Sequence, residues 1–490
     1  MDKATDPLQS LPASDSSRPE SDGQAPPHGE PEPQGGASAN SAPVRRVAEL
    51  PMSLTQQRLW SRYQSDPDNV GYNIAYTLRL SGDLDVEALR RSLNEIVRRH
   101  EVLRTRFDTV SGRAVQLIEE SLVLNLELVD LSQLPESERE ARGQELARAE
   151  PTAPFNLRRT PLLRVGLVRL AAQEHLLWLT THHIVFDGAS AGVLFGELGR
   201  LYTAYREGRP SPLDELPFQY GDYAVWERDW LQGPALEEQL GYWRRQLRGM
   251  KPLELPANRS RSEVQSSWGA SLYMTLPPEL AERIRQLSRR EGVTLYMLLL
   301  AAFKVLLSRY CKQEDICVGS PASARTLPGT ESLIGFFANA MVIRTDLGGN
   351  PSFRELLRRV RDVTLGAYKH QDMRFEKLLE GLELPGPPFR VIFTLQSKPA
   401  APFELPGLSV SFLNVAADAG VPSFLLRSDL DVYLQEVEGG FRGFWVYSPD
   451  LFDEATVSRL IECFRLILAE MVRDPEKTLD NLTSDCHQNS

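Results

Sequence analysis

Histidine is scarce in this chain, seven in 490 residues, and cysteine is scarcer, with four. Cys311, Cys317, Cys463 and Cys486 have no CxxC spacing and no histidine at zinc-ligand spacing, so no metal site is expected. Four scattered thiols suit a reducing compartment. Basic residues are in deficit: 55 Lys and Arg against 66 Asp and Glu give a net charge of −11, which argues against nucleic acid as a ligand. Solubility accounts for that charge, and small molecules or a protein docking on a local basic patch remain open. Long apolar runs are missing too. The longest, Leu295 to Leu307, is too short to cross a bilayer and contains Lys304. Met1 to Asp6 lacks the apolar core of a signal peptide, so no membrane association is expected and a cytoplasmic protein is.

What is present is enough apolar material, 42% of residues, for sizeable cores, in a chain long enough to expect two lobes. Residues 1–46 are rich in Pro, Ser, Gly and Glu and are read as a disordered tail. Order is expected from Ala48. Helices are predicted over Leu54–Tyr63, after Asp85, over Ser190–Arg206, Glu279–Arg290, Phe353–Tyr368 and Thr456–Arg473, and after a Thr294 cap to Tyr310. Strands are predicted over Ile74–Leu80, Ala114–Asp130, Leu162–Leu170, Glu174–Val185, Leu272–Leu276, Ile316–Gly319, Ala340–Asp346, Val391–Gln396, Leu430–Glu436 and Gly440–Tyr447. The two halves share this α/β grammar. The division expected is a first lobe at 47–215, a second at 216–484, and a short tail at 485–490, with a ligand cleft between lobes.

Thr180-Thr181-His182-His183-Ile184-Val185-Phe186-Asp187-Gly188 stands out against the scarcity of histidine. If the strand runs to Val185, alternation puts His183 on the face of Thr181, Leu179 and Leu177, and His182 on the face of Thr180, Trp178 and Leu176. One imidazole then reaches a cavity while the other is packed. Asp187-Gly188 reads as a turn and Ser190 as the cap of the next helix. A neutral imidazole beside a nucleophile is the commonest general base near neutral pH.

The HHxxxDG pattern resembles the signature of the condensation domains of nonribosomal peptide synthetases. Other segments carry the resemblance over residues 50–484. Ser53 to Trp60 matches SxxQxRxW, Arg99 to Phe107 matches RHExLRTxF, and Tyr220 to Trp226 is similar to YxDYAVW. Ile334 to Asn339 is similar to IGxFVN, with Ala338 for Val. His370 to Glu376 resembles HQDxPFE, with Arg374 for Pro, which puts a loop beside the channel in doubt. The family's last motif, around Pro387 to Gln396, is poorly kept.

The resemblance implies an α/β fold of the chloramphenicol-acetyltransferase type: two lobes in a V-shaped pseudo-dimer with a central tunnel, the second lobe carrying floor-loop and latch elements. Donor and acceptor carrier proteins would bring phosphopantetheine-borne thioesters to opposite mouths. An acyl, aminoacyl or peptidyl group would pass to an amine or hydroxyl, forming an amide or ester without a covalent enzyme intermediate. His183 is then the catalytic residue, with His182, Asp187 and Gly188 in support. Arg104 is the favoured ion-pair partner of Asp187, ahead of Arg106 and Arg344. Gly188 allows close approach at the channel floor, and Ser320 and Asn339 belong to the tunnel and floor loop. No cofactor is expected on the chain itself, and a monomer is expected. The alternatives are an acyltransferase with a soluble acceptor and a silent carrier-recruiting module. The ends of the chain read as a free-standing enzyme, with an excised module as the other possibility.

Overall fold

The computed structural model describes residues 48–259, 268–383, 388–396, 404–413, 424–425 and 428–482. The predicted disordered tail and the short tail at 485–490 lie outside the described residues. So does Pro387 of the family's last motif.

The first half holds β1 (Ala48–Pro51), α1 (Leu54–Ser65), β2 (Asn73–Gly82), α2 (Val86–Arg99), β3 (Thr105–Val110) and β4 (Arg113–Ile118). It continues with β5 (Glu127–Asp130), α3 (Glu136–Ala149), β6 (Leu163–Ala171), β7 (Glu174–His182) and α4 (Gly188–Arg206). Two helices follow, α5 (Tyr220–Trp230) and α6 (Gly233–Gln246). The second half holds β8 (Trp268–Leu276), α7 (Pro278–Glu291), α8 (Leu295–Cys311), β9 (Asp315–Ala322), β10 (Asn339–Asp346), α9 (Phe353–Lys369) and α10 (Phe375–Gly381). It ends with β11 (Val391–Gln396), β12 (Leu408–Leu413), β13 (Phe424–Leu425), β14 (Leu430–Val437), β15 (Gly440–Tyr447) and α11 (Glu454–Arg473).

Local chemistry explains the main starts and stops. Ser53 caps α1 and exchanges bonds with Gln56 in a capping box. Asp85, Thr294, Ser352 and Asp453 cap α2, α8, α9 and α11 through their side chains. Gly292 ends α7 at φ 62°, where a left-handed residue turns the chain into α8.

Three sheets form among the described residues, ordered β1-β4-β3, β12-β2-β7-β6-β5 and β10-β9-β11-β14-β15-β8-β13. In the five-stranded sheet β7 pairs antiparallel with β2 and β6, placing Asn73 opposite His182. Leu177 and Leu179 point into the large core shared with α2 and α4, while Leu176 joins a smaller cluster with Val168 and Leu170. That alternation is the period-two pattern read from the sequence.

Two large cores carry the fold. One runs from Met52 to Tyr223 and takes in Leu333, Ile334, Phe336, Phe337 and Leu405; the other runs from Leu240 to Leu482. Packing therefore crosses residue 215, with Tyr220 and Tyr223 of α5 in the first core. The crossing is also made by a strand: β12, from the second half, lies antiparallel on the edge of β2, with Leu408 opposite Gly82 and Leu413 opposite Thr77.

Several elements differ from expectation. The single strand expected over Ala114–Asp130 is two, β4 and β5, which join different sheets. Helix α3 has little apolar periodicity and buries only Gly143 and Ala147, so its sequence signal is weak. Helices α5, α6 and α10 and strands β1, β3, β12 and β13 were not anticipated; the short strands offer too few residues for a periodic signal.

Lys304 sits in α8, wholly buried. Its ammonium donates to Ile343 O at 2.6 Å, Thr345 Oγ1 at 2.8 Å and Ile316 O at 3.4 Å. Burial pushes its pKa down to about 7, with Cys317 and Asp315 opposing. The folded state thus sheds this proton at lower pH than the unfolded chain, and stability gains from Lys304 as pH rises above 7. The gap in melting temperature between wild type and Lys304→Met should move in favour of wild type between pH 7 and 8.5. The slope should approach about 1.4 kcal/mol per pH unit. A gap that does not change with pH would contradict the depressed pKa.

Candidate functional site

Strand β7 stops at His182, and residues His183–Val185 form one turn of 3-10 helix. The strand expected to continue to Val185 is therefore shorter, and His183 leaves the sheet at its end. Its N–H donates to Tyr72 O at 2.8 Å. His183 is half-buried, with its ring edge-on to Phe336 at 4.6 Å between centroids. His182 is 4% exposed and lies beside Tyr72 and Phe155. Its Nδ1 accepts the N–H of Ile184 at 3.1 Å. Burial, with His183 beside it, pushes the His182 pKa down to about 3, so this ring is neutral at any working pH. The two imidazoles are thus unequal: one is packed and locked, the other lies past the end of the strand against the Phe336 ring.

Asp187 is the cap of α4, and Ser190, expected as the cap, is the third helical residue that completes a capping box with it. Asp187 Oδ1 accepts Ser190 N–H at 2.9 Å and lies 2.7 Å from Ser190 Oγ. Its partner ion is Arg325, whose Nη2 is 3.0 Å from Oδ1, with side chains 7% and 2% exposed. The expected partner, Arg104, is instead drawn to Glu101 at 3.2 Å and to the carbonyl of Glu119. Arg106 pairs with Glu119 and Arg344 with Asp315. Each of these three arginines meets an acid nearer to it in the fold, whereas Arg325 lies in a loop that crosses over from the second half. Only its place between Ser320 and Asn339, both assigned to the expected tunnel and floor loop, could have marked it. Ala324, just before it, stands at φ 48°, a left-handed conformation that strains a residue with a Cβ.

Around this ion pair, Leu333–Phe337 is laced to side chains from many elements. Leu333 O accepts from Arg325 Nη1 at 2.7 Å, and Ile334 N–H donates to His100 Nδ1 at 3.3 Å. Gly335 N–H donates to Ser190 Oγ at 3.1 Å, and that oxygen is 2.9 Å from Gly335 O. Phe336 O accepts from Tyr220 and Thr55 hydroxyls at 2.7 and 3.1 Å. Phe337 N–H donates to Asp187 Oδ2 at 3.1 Å, and its carbonyl accepts from Arg374 at 3.0 Å. A Cβ on Gly335 would lie 2.1 Å from the Tyr220 ring, so only glycine fits under that ring. Arg325 also lies over the Phe337 ring at 4.1 Å.

The remaining sequence candidates have clear places. Gly188 opens α4 and is exposed, and an added Cβ there would have open space around it. Asn339 donates to Gln371 O and Met373 O at 2.9 and 2.7 Å and accepts Phe375 N–H at 3.1 Å, clamping the turn before α10. Ser320 is 3% exposed, accepts from Tyr296 at 2.6 Å and lies 3.3 Å from Phe393 O. Arg374, the departure from the family motif, is buried against Glu227 at 2.5 Å, beside Tyr223. Glu227 in turn accepts Leu54 N–H at 2.7 Å. A cleft of about 650 Å³ opens elsewhere, between α1, α5, α6 and α10, lined by Leu54, Arg58, Arg228, Leu231 and Glu376.

The family model described as the condensation domain matches residues 47–489. The chain belongs to the condensation domain family. It is 43% identical to one of the linear gramicidin synthase polypeptides of Brevibacillus parabrevis over 457 residues, covering 92% of this chain and 6% of that one. Chondramide synthase cmdD of Chondromyces crocatus is 39% identical, over 91% of this chain and 11% of that one. The chain thus spans a small fraction of the curated relatives it matches. Among solved structures, the X-domain in its complex with OxyB from teicoplanin biosynthesis is similar at a TM-score of 0.77 and 29% identity, covering 92% of this chain and 98% of that one. The first condensation domain of the calcium-dependent antibiotic synthetase is similar in fold at a TM-score of 0.73 and 23% identity, over 89% and 100% of the two chains. The architecture is the mixed α/β, chloramphenicol-acetyltransferase-like one.

Removing one partner of a buried ion pair leaves the other charge without compensation. Asp187→Asn should therefore lower unfolding free energy by about 3–5 kcal/mol in urea titrations. Arg325→Met should cost a comparable amount, and the double variant clearly less than the sum. Additive losses would show that the two charges do not act as a pair.

Proposed function

We propose that this condensation domain joins a carrier-bound acyl, aminoacyl or peptidyl thioester to an amine in nonribosomal peptide assembly. The observation that carries the reading is the complete HHxxxDG segment, with His183 at the strand end and Asp187 fixed by Arg325. The similarity to gramicidin and chondramide synthases supports it. The amine nitrogen attacks the thioester carbon, the C–N bond forms, the C–S bond breaks, and the amine proton ends on the departing thiol. His183 acts on the amine, by removing its proton or by holding it through a hydrogen bond as the tetrahedral intermediate forms. Asp187 is structural: it fixes the start of α4 and the Phe336–Phe337 peptide. Positioning two tethered reactants supplies a large share of the rate. The phosphopantetheine arms arrive on donor and acceptor carriers, through a tunnel between the halves, and the domain works in the cytoplasm. A hydroxyl acceptor would give an ester by the same steps.

His183→Ala should reduce condensation at least about a hundredfold, the scale of a lost acid–base group, and leave the melting temperature nearly unchanged. His182→Ala should chiefly lower the melting temperature. The reverse pattern would exchange the two roles. Gly188→Ala should also fold normally, because the added Cβ has open space around it; lost activity would then report a substrate passing there.

The deciding comparison is kcat/KM for each substrate on a carrier and on a small thiol. Strong carrier preference on both sides supports the assembly-line reading, since docking raises the effective concentration of the tethered group. Equal efficiency with soluble acceptors would favour a simpler acyltransferase. Tight carrier binding with no turnover would make the domain a recruiting module.

A further inference from the structure

His100 ends the helix α2 and is 1% exposed. Its two ring nitrogens have different partners. Nδ1 receives the N–H of Ile334 at 3.3 Å, and Nε2 lies 2.9 Å from Glu197 Oε2. An amide N–H only donates, so Nδ1 carries no proton; Nε2 carries it and donates to the carboxylate. Glu197, on α4, is held through its other oxygen by Arg99 Nε at 2.8 Å. Burial raises the Glu197 pKa, but His100 and Arg99 outweigh it and hold the carboxyl below its ordinary range. Arg99 also reaches Asp214 O in the segment after α4. The result is a directional chain, Arg99 to Glu197 to His100 to Ile334, closed off from water.

The chain ends two residues from Phe336, whose ring stands against His183 at 4.6 Å. Asp187 and Ser190, which hold Gly335 and Phe337, grip the same segment from the N-terminus of α4, the helix that carries Glu197. Helix α4 therefore holds Leu333–Phe337 twice: directly at its first turn, and through Glu197 and His100 about two turns later. Two grips from one rigid helix fix a segment's tilt as well as its height.

We propose that His100 is a positioning residue for the condensation reaction, setting through Ile334 the placement of Phe336 against His183. This rests on the reading of His183 given above. A group so placed contributes to rate through geometry, and a displacement of about 1 Å at a reacting group costs up to about a hundredfold.

The test uses the full chain with carrier-bound donor and acceptor, and three variants. His100→Asn places an amide oxygen near the position of Nδ1 and keeps an acceptor for Ile334. His100→Leu keeps bulk and offers no acceptor. Glu197→Gln weakens the anchor of the imidazole. His100→Leu is expected to lower the single-turnover rate between about ten- and a hundredfold with KM little changed. It should also shift the NMR signals of the Ile334 methyl and the His183 ring. His100→Asn should recover most of the rate and the wild-type signals. Should His100→Leu fail to fold, Glu197→Gln is expected to give the same shifts with a smaller rate loss. A wild-type rate in His100→Leu, equal losses in the leucine and asparagine variants, or unmoved His183 signals would each overturn the proposal. A wild-type chain that does not condense, yet whose His183 signals follow His100, would overturn the His183 reading and leave the positioning intact.

Discussion

The site depends on one constraint: a buried stretch of irregular backbone has to satisfy its own polar groups. Leu333–Phe337 belongs to neither helix nor sheet, so it has no ladder to supply partners. Side chains supply them instead, from α1, α4, α5, the end of α2, the Arg325 loop and the turn before α10. Asp187 is the hub, because its two oxygens serve a helix cap, a guanidinium and the Phe337 amide at once. Charge-assisted bonds of this kind are short and strong, and each becomes costly when its partner is missing. The motif residues around the histidines are thus largely a scaffold for a backbone segment, with His183 placed at its edge.

Much of this was legible in the chain. The strands β2, β6, β7, β14 and β15 and the helices α2, α7, α8, α9 and α11 announce themselves by period and cap. The motif residues point to the site because few other histidines compete for attention. Partner identity was not legible. Arg104, Arg106, Arg325 and Arg344 are chemically alike, and only the fold decides which one faces Asp187. The same holds for His100, whose motif neighbours gave no sign that its ring would meet Ile334, 234 residues away. Long-range pairings of this type follow from loop placement, which hydrophobic period does not encode. The turn at His183 was missed because an apolar run cannot say where a strand stops hydrogen-bonding.

Arg374 shows how a departure from a family pattern can be accommodated. A cation in place of a proline puts the loop beside the channel in doubt. It turns inward, where Glu227 neutralises it and where Tyr223 and the Phe337 carbonyl use its other donors. Arg374 thus ties the turn before α10 to α5 and to the Leu333–Phe337 segment. Glu227 also caps α1 through Leu54, so the opening helix of the first half and the turn before α10 share one carboxylate. Burying such a pair gives little net stability compared with a well-packed apolar substitute, but removing either partner alone is costly.

The position of β12 bears on how such domains can be cut and recombined. Its residues, Leu408–Leu413, seal the edge of β2, which the chain lays down far earlier, at Asn73–Gly82. A fragment ending near residue 215 would leave β2 with a bare row of amides and carbonyls, a template for pairing with other chains. An exchange of first halves between relatives would likewise put a foreign strand against that edge, where register and side-chain fit have to match. The two halves are therefore bound into one folding body, because they share a sheet as well as a core.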